Sequence, residues 1–453
     1  MKFSKQAMAC VATVRDTGER LAPRSDLVPG VSPAADPASI FVDAGHAFQT
    51  VEGLGGAFTE ASARVWQKLG PANRERVVRA YFDPAVGHGY SLCRTHIGSC
   101  DFSDGNYGYA EAAGGNELKG FSVARDEEAL LPLLRAARAV SPQPIKLLAS
   151  PWSPPAWMKT TGIMLRGGKL RSECQAAWAL YFARYVKAYR ELGFPIWAIT
   201  VQNEPEATQS WESCIYTGEE ERDFVRDHLG PTMEREGLGD VRIVVWDHNR
   251  DVLVQRAAAV LNDPAAARYV WGVGFHWYVR DCFHNVQLVH DAWPDKHLLF
   301  TEGCQEGGPH IGSWMLGERY ARSIIADFNR WTEGWIDWNL LLDATGGPNH
   351  VGNLCSAPII ADTERDELIF QSSYYYLGHF ARYVQPGARR ILCASSHDDV
   401  EATAFLNPDG RMSVVALNRT EAPLEVVLRR EGAVLPFRLP ARSILTIFDQ
   451  KAP

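Results

Sequence analysis

The strongest constraint on the fold is an alternation of short apolar runs with longer amphipathic stretches through the middle of the chain. Such alternation is typical of strand–helix units whose strands form a parallel sheet. Eight strands with intervening helices favour a closed (β/α)8 TIM barrel over an open sheet. The predicted strands are Thr50–Phe58, Tyr90–Ile97, Ile145–Ser150, Ile196–Gln202, Val241–Trp246, Gly272–Trp277, Leu298–Glu302 and Trp335–Leu340.

Helices are predicted between several of these strands. The clearest is Gln175–Leu192, where apolar residues recur at spacings of three and four and can form one buried face. Gly193 and Pro195 follow as helix-stop signals. Further helices are predicted over Glu219–Glu236, Asp251–Leu261 and Gly317–Thr332.

The pattern changes to short strands near residue 389. Asn407-Pro408-Asp409-Gly410 is a turn sequence, which predicts a hairpin between its flanking apolar runs. We therefore expect an antiparallel β-sandwich domain from residues 389–453, completed by N-terminal strands within residues 1–45, beside a barrel formed by residues 46–388. The strands expected in this domain are Met8–Val14, Ile40–Val42, Val400–Leu406, Arg411–Asn418, Leu424–Arg429 and Ser443–Phe448.

Composition excludes several classes of protein. The net charge is −8 without a basic patch, so no nucleic-acid partner is expected. The nine cysteines form no pair with metal-ligand spacing, and no apolar run is long enough to span a membrane. The apolar stretch Ala7–Ala12 is too short for a signal peptide. The sequence as given predicts a cytoplasmic protein, or a secreted or periplasmic one if a leader was removed.

Two predicted barrel strands end in a carboxylate. Asn203-Glu204-Pro205 follows the fourth strand, and Thr301-Glu302 ends the seventh. Catalytic groups of barrel enzymes lie at the carboxyl ends of the strands, so both side chains are expected at one mouth. A pair of carboxyl groups suits glycosidic bond hydrolysis, because one protonates the departing oxygen while the other attacks the anomeric carbon. For Glu204 taken alone, a solvated turn residue remains the alternative.

Other strand ends carry weaker signals. Trp152 follows the third strand in a proline-rich loop, where it either stacks on a sugar ring or packs beneath the loop. His276 and Tyr278 end the sixth strand and either support the nucleophile or are structural. No second metal ligand stands at zinc spacing, so no metal is expected. The glycine-rich Gly53–Gly56 lacks a nucleotide-binding pattern and predicts close backbone packing.

Several motifs together resemble glycoside hydrolase family 30, and most closely its lysosomal glucosylceramidase type. The similarity covers roughly residues 40–450 in order. Its motifs are Glu52–Glu60, Cys93–Ser103, Leu147–Trp157, Gln202–Pro205, His276–Tyr278, Leu299–Cys304, Gly334–Asn339, Gly346–Asn349 and Tyr376–Phe380.

The resemblance implies a barrel with an attached β domain, a retaining mechanism and no cofactor. It implies that Glu204 is the acid/base and Glu302 the nucleophile. Sugar-binding roles are implied for Asp101, Trp152, Asn203, Tyr278, Trp338 and Asn349, and supporting roles for Arg94 and His276, with Tyr278 also beside the nucleophile.

The loops Thr160–Arg171 and Gly303–Trp314 depart from the animal enzymes of the family. Both are expected at the rim of the cleft, where the aglycone lies, so glucose recognition transfers better than ceramide recognition. We expect a bacterial homologue that cleaves glucosylceramide or a related β-glucoside. Within the family, a β-1,6-glucanase, β-xylosidase or β-fucosidase is the alternative. Outside it, a non-catalytic carbohydrate-binding protein remains.

Overall fold

The computed structural model describes residues 8–25, 37–110 and 112–450, and a closed eight-stranded barrel forms its centre. Three strands precede the barrel: β1 (Met8–Val14), β2 (Ala22–Arg24) and β3 (Ala38–Thr50). The barrel strands are β4 (Gly53–Phe58), β5 (Leu92–Ile97), β6 (Lys146–Pro151), β7 (Ile196–Thr200), β8 (Arg242–Asn249), β9 (Val270–His276), β10 (His297–Glu302) and β11 (Thr332–Asn339). They follow one another around the barrel in chain order, every neighbouring pair is parallel, and β11 closes on β4. The predicted barrel is confirmed.

The barrel strands pack closely because of glycines in β4, and an apolar layer fills the barrel interior. A side chain at Gly55 would place its Cβ 1.8 Å from the carbonyl oxygen of Leu92, so only glycine lets β4 approach β5 this closely. The glycine-rich segment therefore serves backbone packing, as predicted. Six strands contribute one apolar residue each to an interior cluster, as expected of a filled barrel: Leu92, Leu148, Ala198, Val244, Leu299 and Ile336.

Helices surround the barrel strands. They are α1 (Glu60–Lys68), α2 (Pro71–Phe82), α3 (Leu130–Val140), α4 (Gln175–Glu191), α5 (Gly218–Phe224), α6 (Gly230–Arg235), α7 (Leu253–Leu261), α8 (Pro264–Ala267), α9 (Phe283–Ala292), α10 (Met315–Phe328) and α11 (Ser372–Ala381). The helix predicted over 219–236 is divided by a π turn at Val225–Leu229. Pro231 follows this turn and has no N–H for a helical hydrogen bond, which accounts for the local change of pitch. The helix predicted to reach Thr332 ends at Phe328, because Thr332 begins β11.

A second, nine-stranded sheet joins both ends of the chain. After a small sheet of β12 (Leu341–Asp343), β13 (Ile359–Asp362) and β14 (Glu367–Phe370), the chain forms β15 (Arg389–Ser395), β16 (Val400–Leu406), β17 (Met412–Asn418), β18 (Leu424–Arg430), β19 (Ala433–Leu439) and β20 (Ser443–Asp449). The sheet order is β19-β18-β3-β15-β16-β17-β20-β1-β2, in which only β3 and β18 pair in parallel. The predicted hairpin and the predicted contribution of N-terminal strands are confirmed. The limits at residues 45 and 388 stay a prediction; β3 itself runs on to Thr50.

Polar and apolar contacts attach this sheet to the barrel helices. His379 of α11 contacts the Thr446 hydroxyl through Nδ1 at 2.8 Å and the Thr13 hydroxyl through Nε2 at 2.9 Å. Phe405 and Val415 belong to the same apolar core as the barrel. The sheet therefore packs against the barrel helices α10 and α11. No helix in the described part of the chain is long and apolar enough to cross a membrane.

Candidate active site

A cavity opens at the carboxyl ends of the barrel strands and contains most of the predicted site residues. Both glutamates line it, as do five of the six residues expected to bind sugar. Arg94 and His276 lie beneath it, fully buried, and contact the glutamates. The lining residues are Asp101, Trp152, Asn203, Glu204, Gln209, Trp211, His248, Asn249, Tyr278, Glu302, Cys304, Glu306, Trp338, Asn353 and Cys355.

The backbone brings the two glutamates together. Glu302 is the last residue of β10, whereas Glu204 lies in the turn after β7. Glu204 has a left-handed φ of 48°, which is uncommon for a residue other than glycine, and its N–H donates to the Asp247 carbonyl at 3.0 Å. One carboxylate oxygen of Glu204 lies within 4.8 Å of one of Glu302. Retaining glycosidases hold their carboxyl groups about 5–5.5 Å apart, and inverting enzymes about 6.5–9.5 Å.

Both carboxylate oxygens of Glu302 accept hydrogen bonds. Arg94 Nη1 donates to Oε2, and the Tyr278 hydroxyl donates to Oε1 at 2.8 Å. Burial raises the pKa of Glu302 above its usual value, and the negative charge of Glu204 adds to this. The positive charges of His276 and Arg94 and the Tyr278 hydrogen bond act in the opposite direction. These donors stabilise the carboxylate form inside the barrel.

Glu204 forms a proton-sharing pair with His276. His276 Nδ1 lies 3.1 Å from Glu204 Oε1, and Gln209 Nε2 donates to Oε2 at 3.5 Å. Burial raises the pKa of Glu204, but the nearby His248 and His276 rings and Gln209 outweigh it and hold this pKa at about 2. Burial lowers the pKa of His276, but Glu302, Asp247 and Glu204 outweigh it and raise this pKa to about 9. The pair thus holds one proton at neutral pH, mainly on the imidazole.

Asp247 organises the residues beneath the cavity, and sequence reasoning missed it. It accepts hydrogen bonds from Arg94 Nη2 at 2.7 Å and from the Thr200 and Thr301 hydroxyls at 2.6 Å each. His276 Nε2 lies 3.0 Å from Asp247 Oδ1, the oxygen to which Thr301 donates. Burial raises the pKa of Asp247, but Arg94, His276 and Thr200 outweigh it and hold the pKa well below its usual value. A signal was available, since Asp247 comes at the end of the fifth barrel strand just as Glu302 ends the seventh.

Asp101 lines the cavity and is held by two amide side chains. Its Oδ2 accepts hydrogen bonds from Asn349 Nδ2 at 3.1 Å and Asn353 Nδ2 at 3.0 Å. Burial raises the pKa of Asp101 to about 8, with contributions from the negative charges of Glu302 and Glu212, while the two amides act to lower it. Asn353 lines the cavity, whereas Asn349 is not among its lining residues. A sugar contact by Asn349 therefore stays a prediction.

Aromatic side chains form one wall of the cavity. The Trp152 and Trp338 rings stack with centroids 5.1 Å apart and an interplanar angle of 24°. The Arg94 guanidinium carbon lies 4.7 Å from the Trp152 ring centroid, a cation–π distance that fixes the ring beside the acids. Trp211 lines the cavity as well, on a loop that sequence reasoning did not single out.

One group of three potential metal ligands occurs in the described ranges: Glu204, His276 and Glu302, whose ligand atoms lie within 4.8 Å of one another. His276 Nδ1 is already bonded to Glu204, and the Arg94 cation contacts Glu302. A second cation would be repelled by this positive charge. The expectation of a metal-free site stays a prediction.

Two close carboxyl groups at the mouth of a barrel, beside a polar cavity with an aromatic wall, define a glycoside hydrolase. Comparison with protein families agrees. Residues 51–384 match the glycosyl hydrolase family 30 TIM-barrel domain, and residues 387–447 match the glycosyl hydrolase family 30 β-sandwich domain. The chain belongs to glycoside hydrolase family 30, which confirms the resemblance seen in its motifs.

Individual relatives extend the similarity over both domains. The lysosomal acid glucosylceramidase of Mus musculus is 37% identical over 399 residues, which are 84% of this chain and 77% of that protein. The crystal structure of SrfJ from Salmonella typhimurium superimposes with a TM-score of 0.93 at 37% identity, covering 98% of this chain and 100% of that one. An endo-β1,6-glucanase structure has a TM-score of 0.87 at 28% identity and covers 98% of this chain and 99% of its own.

Proposed function

We propose that this protein is a retaining β-glucosidase that hydrolyses glucosylceramide or a related β-glucoside by double displacement. The separation of Glu204 and Glu302 carries the proposal, because oxygens within 4.8 Å leave no room for the water that an inverting enzyme activates. Similarity at 37% identity to a glucosylceramidase supports the choice of substrate.

In the first step, the Glu302 carboxylate attacks the anomeric carbon. The bond from that carbon to the aglycone oxygen breaks, and the oxygen takes a proton from Glu204 as it leaves. Glu302 thereby becomes a neutral glycosyl ester, and its hydrogen bonds from Arg94 and Tyr278 hold it in line with the sugar.

The proton reaches Glu204 from His276. In the free enzyme this proton lies mainly on the imidazole, and Asp247 on the other ring nitrogen keeps the ring in place. Bound substrate excludes water from the cavity and lowers the effective dielectric constant around the pair. In this environment a neutral imidazole beside a neutral carboxyl is favoured over an imidazolium beside a carboxylate. The proton then moves along the 3.1 Å contact to Glu204.

In the second step, water replaces the aglycone. Glu204, now ionised, removes a proton from this water as its oxygen attacks the anomeric carbon. The ester bond to Glu302 breaks and the carboxylate is restored, so the sugar leaves with its original β configuration.

The glycone is bound by polar atoms that can still form hydrogen bonds and by the aromatic wall of the cavity. Arg94 Nη2 donates a hydrogen bond to Asn203 Oδ1 at 2.9 Å. The side-chain N–H of Asn203 can therefore donate to a sugar hydroxyl. Both amide donors to Asp101 bond to Oδ2, which leaves Oδ1 to accept from a hydroxyl. The wall formed by Trp152 and Trp338 packs against the apolar face of the ring.

Assays of glucosylceramide and an aryl β-glucoside test this proposal. We expect turnover of at least one, and NMR should detect the β anomer of glucose before mutarotation. A 2-fluoro glucoside should label Glu302, identified by mass spectrometry of the digested protein. Lack of turnover of both glucosides would contradict the substrate, and release of the α anomer would contradict retention.

An endo-β-1,6-glucanase is the second candidate. It is supported by an endo-1,6-β-D-glucanase of Aspergillus fumigatus that is 28% identical over 88% of this chain, and by the endo-β1,6-glucanase structure described above. Comparing kcat/KM for β-1,6-glucan oligosaccharides with values for aryl β-glucoside, β-xyloside and β-fucoside separates the activities. Higher kcat/KM on the oligosaccharides would favour the glucanase.

A further inference from the structure

Glu212 is a buried carboxylate beside the sugar cavity. Its side chain has no exposed surface, and among the described residues neither of its oxygens has a hydrogen-bond partner. The closest cationic group is His350, whose Nε2 lies 3.5 Å from Glu212 Oε2 and also lacks a hydrogen-bond partner. A buried polar group without a partner is costly, so the 3.5 Å contact between these two side chains is the interaction that offsets part of that cost for each of them.

The other ring nitrogen of His350 defines the state of the pair. His350 Nδ1 lies 3.1 Å from the Ser103 carbonyl oxygen. A carbonyl oxygen only accepts, so Nδ1 carries a hydrogen. Nε2 is therefore the ring nitrogen left to face Glu212, 3.5 Å from its Oε2.

This contact joins loops that carry the glycone-binding residues. The His350 N–H donates to the Asp101 carbonyl at 3.2 Å, and Asn349 and Asn353 on the same loop donate to the Asp101 carboxylate. Glu212 follows Trp211 on the loop after β7. The pair therefore links the loop of Asp101, the loop of Trp211 and the loop of Asn353 at one point.

The loop of Glu212 is itself anchored on its far side. The Ser213 N–H donates to the Met164 carbonyl at 3.0 Å. The buried Lys159 ammonium donates to the carbonyls of Met164, Gly167 and Ser213. The loop of Glu212 is thus held by several hydrogen bonds on the side away from His350, so we expect a change at Glu212 to affect the His350 side of the contact.

We propose that Glu212 is a positioning residue that acts through His350 to hold Asp101 and Asn353 in place for the glycone. Among the described residues, no hydrogen bond or ion pair joins it to Glu204 or Glu302, so it should govern sugar affinity rather than the chemical step. The inference rests on the proposed function, since it assumes that Asp101 binds the sugar.

Kinetics of the full-length enzyme test this role. With the glycoside that the wild type cleaves best, we expect Glu212→Leu to raise KM, and the inhibition constant of an uncleaved aryl β-thioglucoside, about tenfold or more, with kcat within about threefold. Glu212→Gln should stay within about threefold of wild type, because its amide donates to a bare Nε2. His350→Leu should resemble Glu212→Leu, and the double variant should lose no more than either single variant.

Other results would overturn the inference. They are a Glu212→Leu enzyme with unchanged KM and inhibition constant, a loss confined to kcat, a Gln variant as impaired as Leu, or additive losses in the double variant. If Glu212→Leu does not fold in a thermal-unfolding assay, His350→Leu breaks the same contact and carries the test, and failure of both to fold also overturns it. Glu206→Gln, on the same loop and half exposed, is the control expected to match wild type. A wild type inactive on every glycoside would contradict the proposed function instead.

Discussion

His276 Nδ1 lies 3.1 Å from Glu204 Oε1, while Nε2 of the same ring lies 3.0 Å from Asp247 Oδ1. One imidazole thus connects the proposed acid/base to a fully buried aspartate. Asp247 raises the proton affinity of the ring and keeps it oriented. Glu204 can therefore be ionised in the free enzyme and still receive a proton when the aglycone departs.

Replacement of His276 should impair departure of poor leaving groups most. For His276→Gln we expect kcat/KM on an alkyl β-glucoside to fall about 100-fold, because general acid catalysis typically contributes about 10²–10⁴-fold. A dinitrophenyl β-glucoside needs no proton on its leaving group, so its loss should be much smaller. Steady-state kinetics with the two substrates measure the difference, and equal losses would show that His276 does not supply the proton.

The two glutamates should respond differently to azide. Glu302→Gly should lower kcat about 10³-fold or more, because no nucleophile remains. Azide should then attack the β-glucoside directly and give an α-glucosyl azide. Glu204→Gly keeps the nucleophile, so azide should attack the glycosyl ester and give a β-glucosyl azide.

NMR of the azide products measures both outcomes. An α-glucosyl azide from the Glu204 variant would show that Glu204 is the nucleophile and Glu302 the acid/base. A Glu302→Gln enzyme with a near-normal rate would refute the nucleophile assignment, and wild-type sugar binding without any turnover would revive the non-catalytic alternative.

The dependence of kcat/KM on pH should be bell-shaped. Glu302 must be ionised, so activity is lost as pH falls through its pKa, which burial raises above the usual glutamate value. The Glu204–His276 pair must hold its proton, so activity is lost as pH rises through the His276 pKa of about 9. A profile over about pH 4–10 measures both limbs. An acid limb at or below the usual glutamate pKa, or an alkaline limb unchanged in His276→Gln, would contradict this account.

Arg94 should be important for stability as well as activity. It bonds to Glu302, Asp247 and Asn203 with no exposed surface. Arg94→Met leaves two buried carboxylates without this partner and should lower the free energy of unfolding by about 3–5 kcal/mol. Urea denaturation measures it. Arg190→Met, which breaks an exposed pair with Asp240, is the control and should cost about 0–1 kcal/mol.

Chelation should leave the enzyme fully active. Glu204, His276 and Glu302 could in principle surround a cation, but the proposed chemistry uses them for proton transfer and nucleophilic attack. Activity after dialysis against EDTA, compared with activity after dialysis against buffer alone, measures this. Loss that added zinc or magnesium restores would require a metal-dependent mechanism.

Patterns along the chain were sufficient to predict the barrel and the position of the two glutamates at the ends of its strands. Hydrophobic periodicity located all eight barrel strands, because strands buried on both faces must be apolar. The position of Glu204 and Glu302 at strand ends follows from the same pattern. Local geometry was less accessible: the π turn at Val225–Leu229 and the left-handed φ of Glu204 depend on neighbours that are distant in sequence.

What the sequence by itself determined was the barrel, the accompanying sheet from both chain ends and the two carboxylates. Only the tertiary structure decided how those carboxylates are controlled. Asp247 has a strand-end position that marks it as a candidate, but Glu212 carries no distinctive local pattern. The partners of these two residues, Arg94 and His350, lie more than a hundred residues away along the chain. Electrostatic interactions depend on distance in space and on burial, and neither can be read from the spacing of residues.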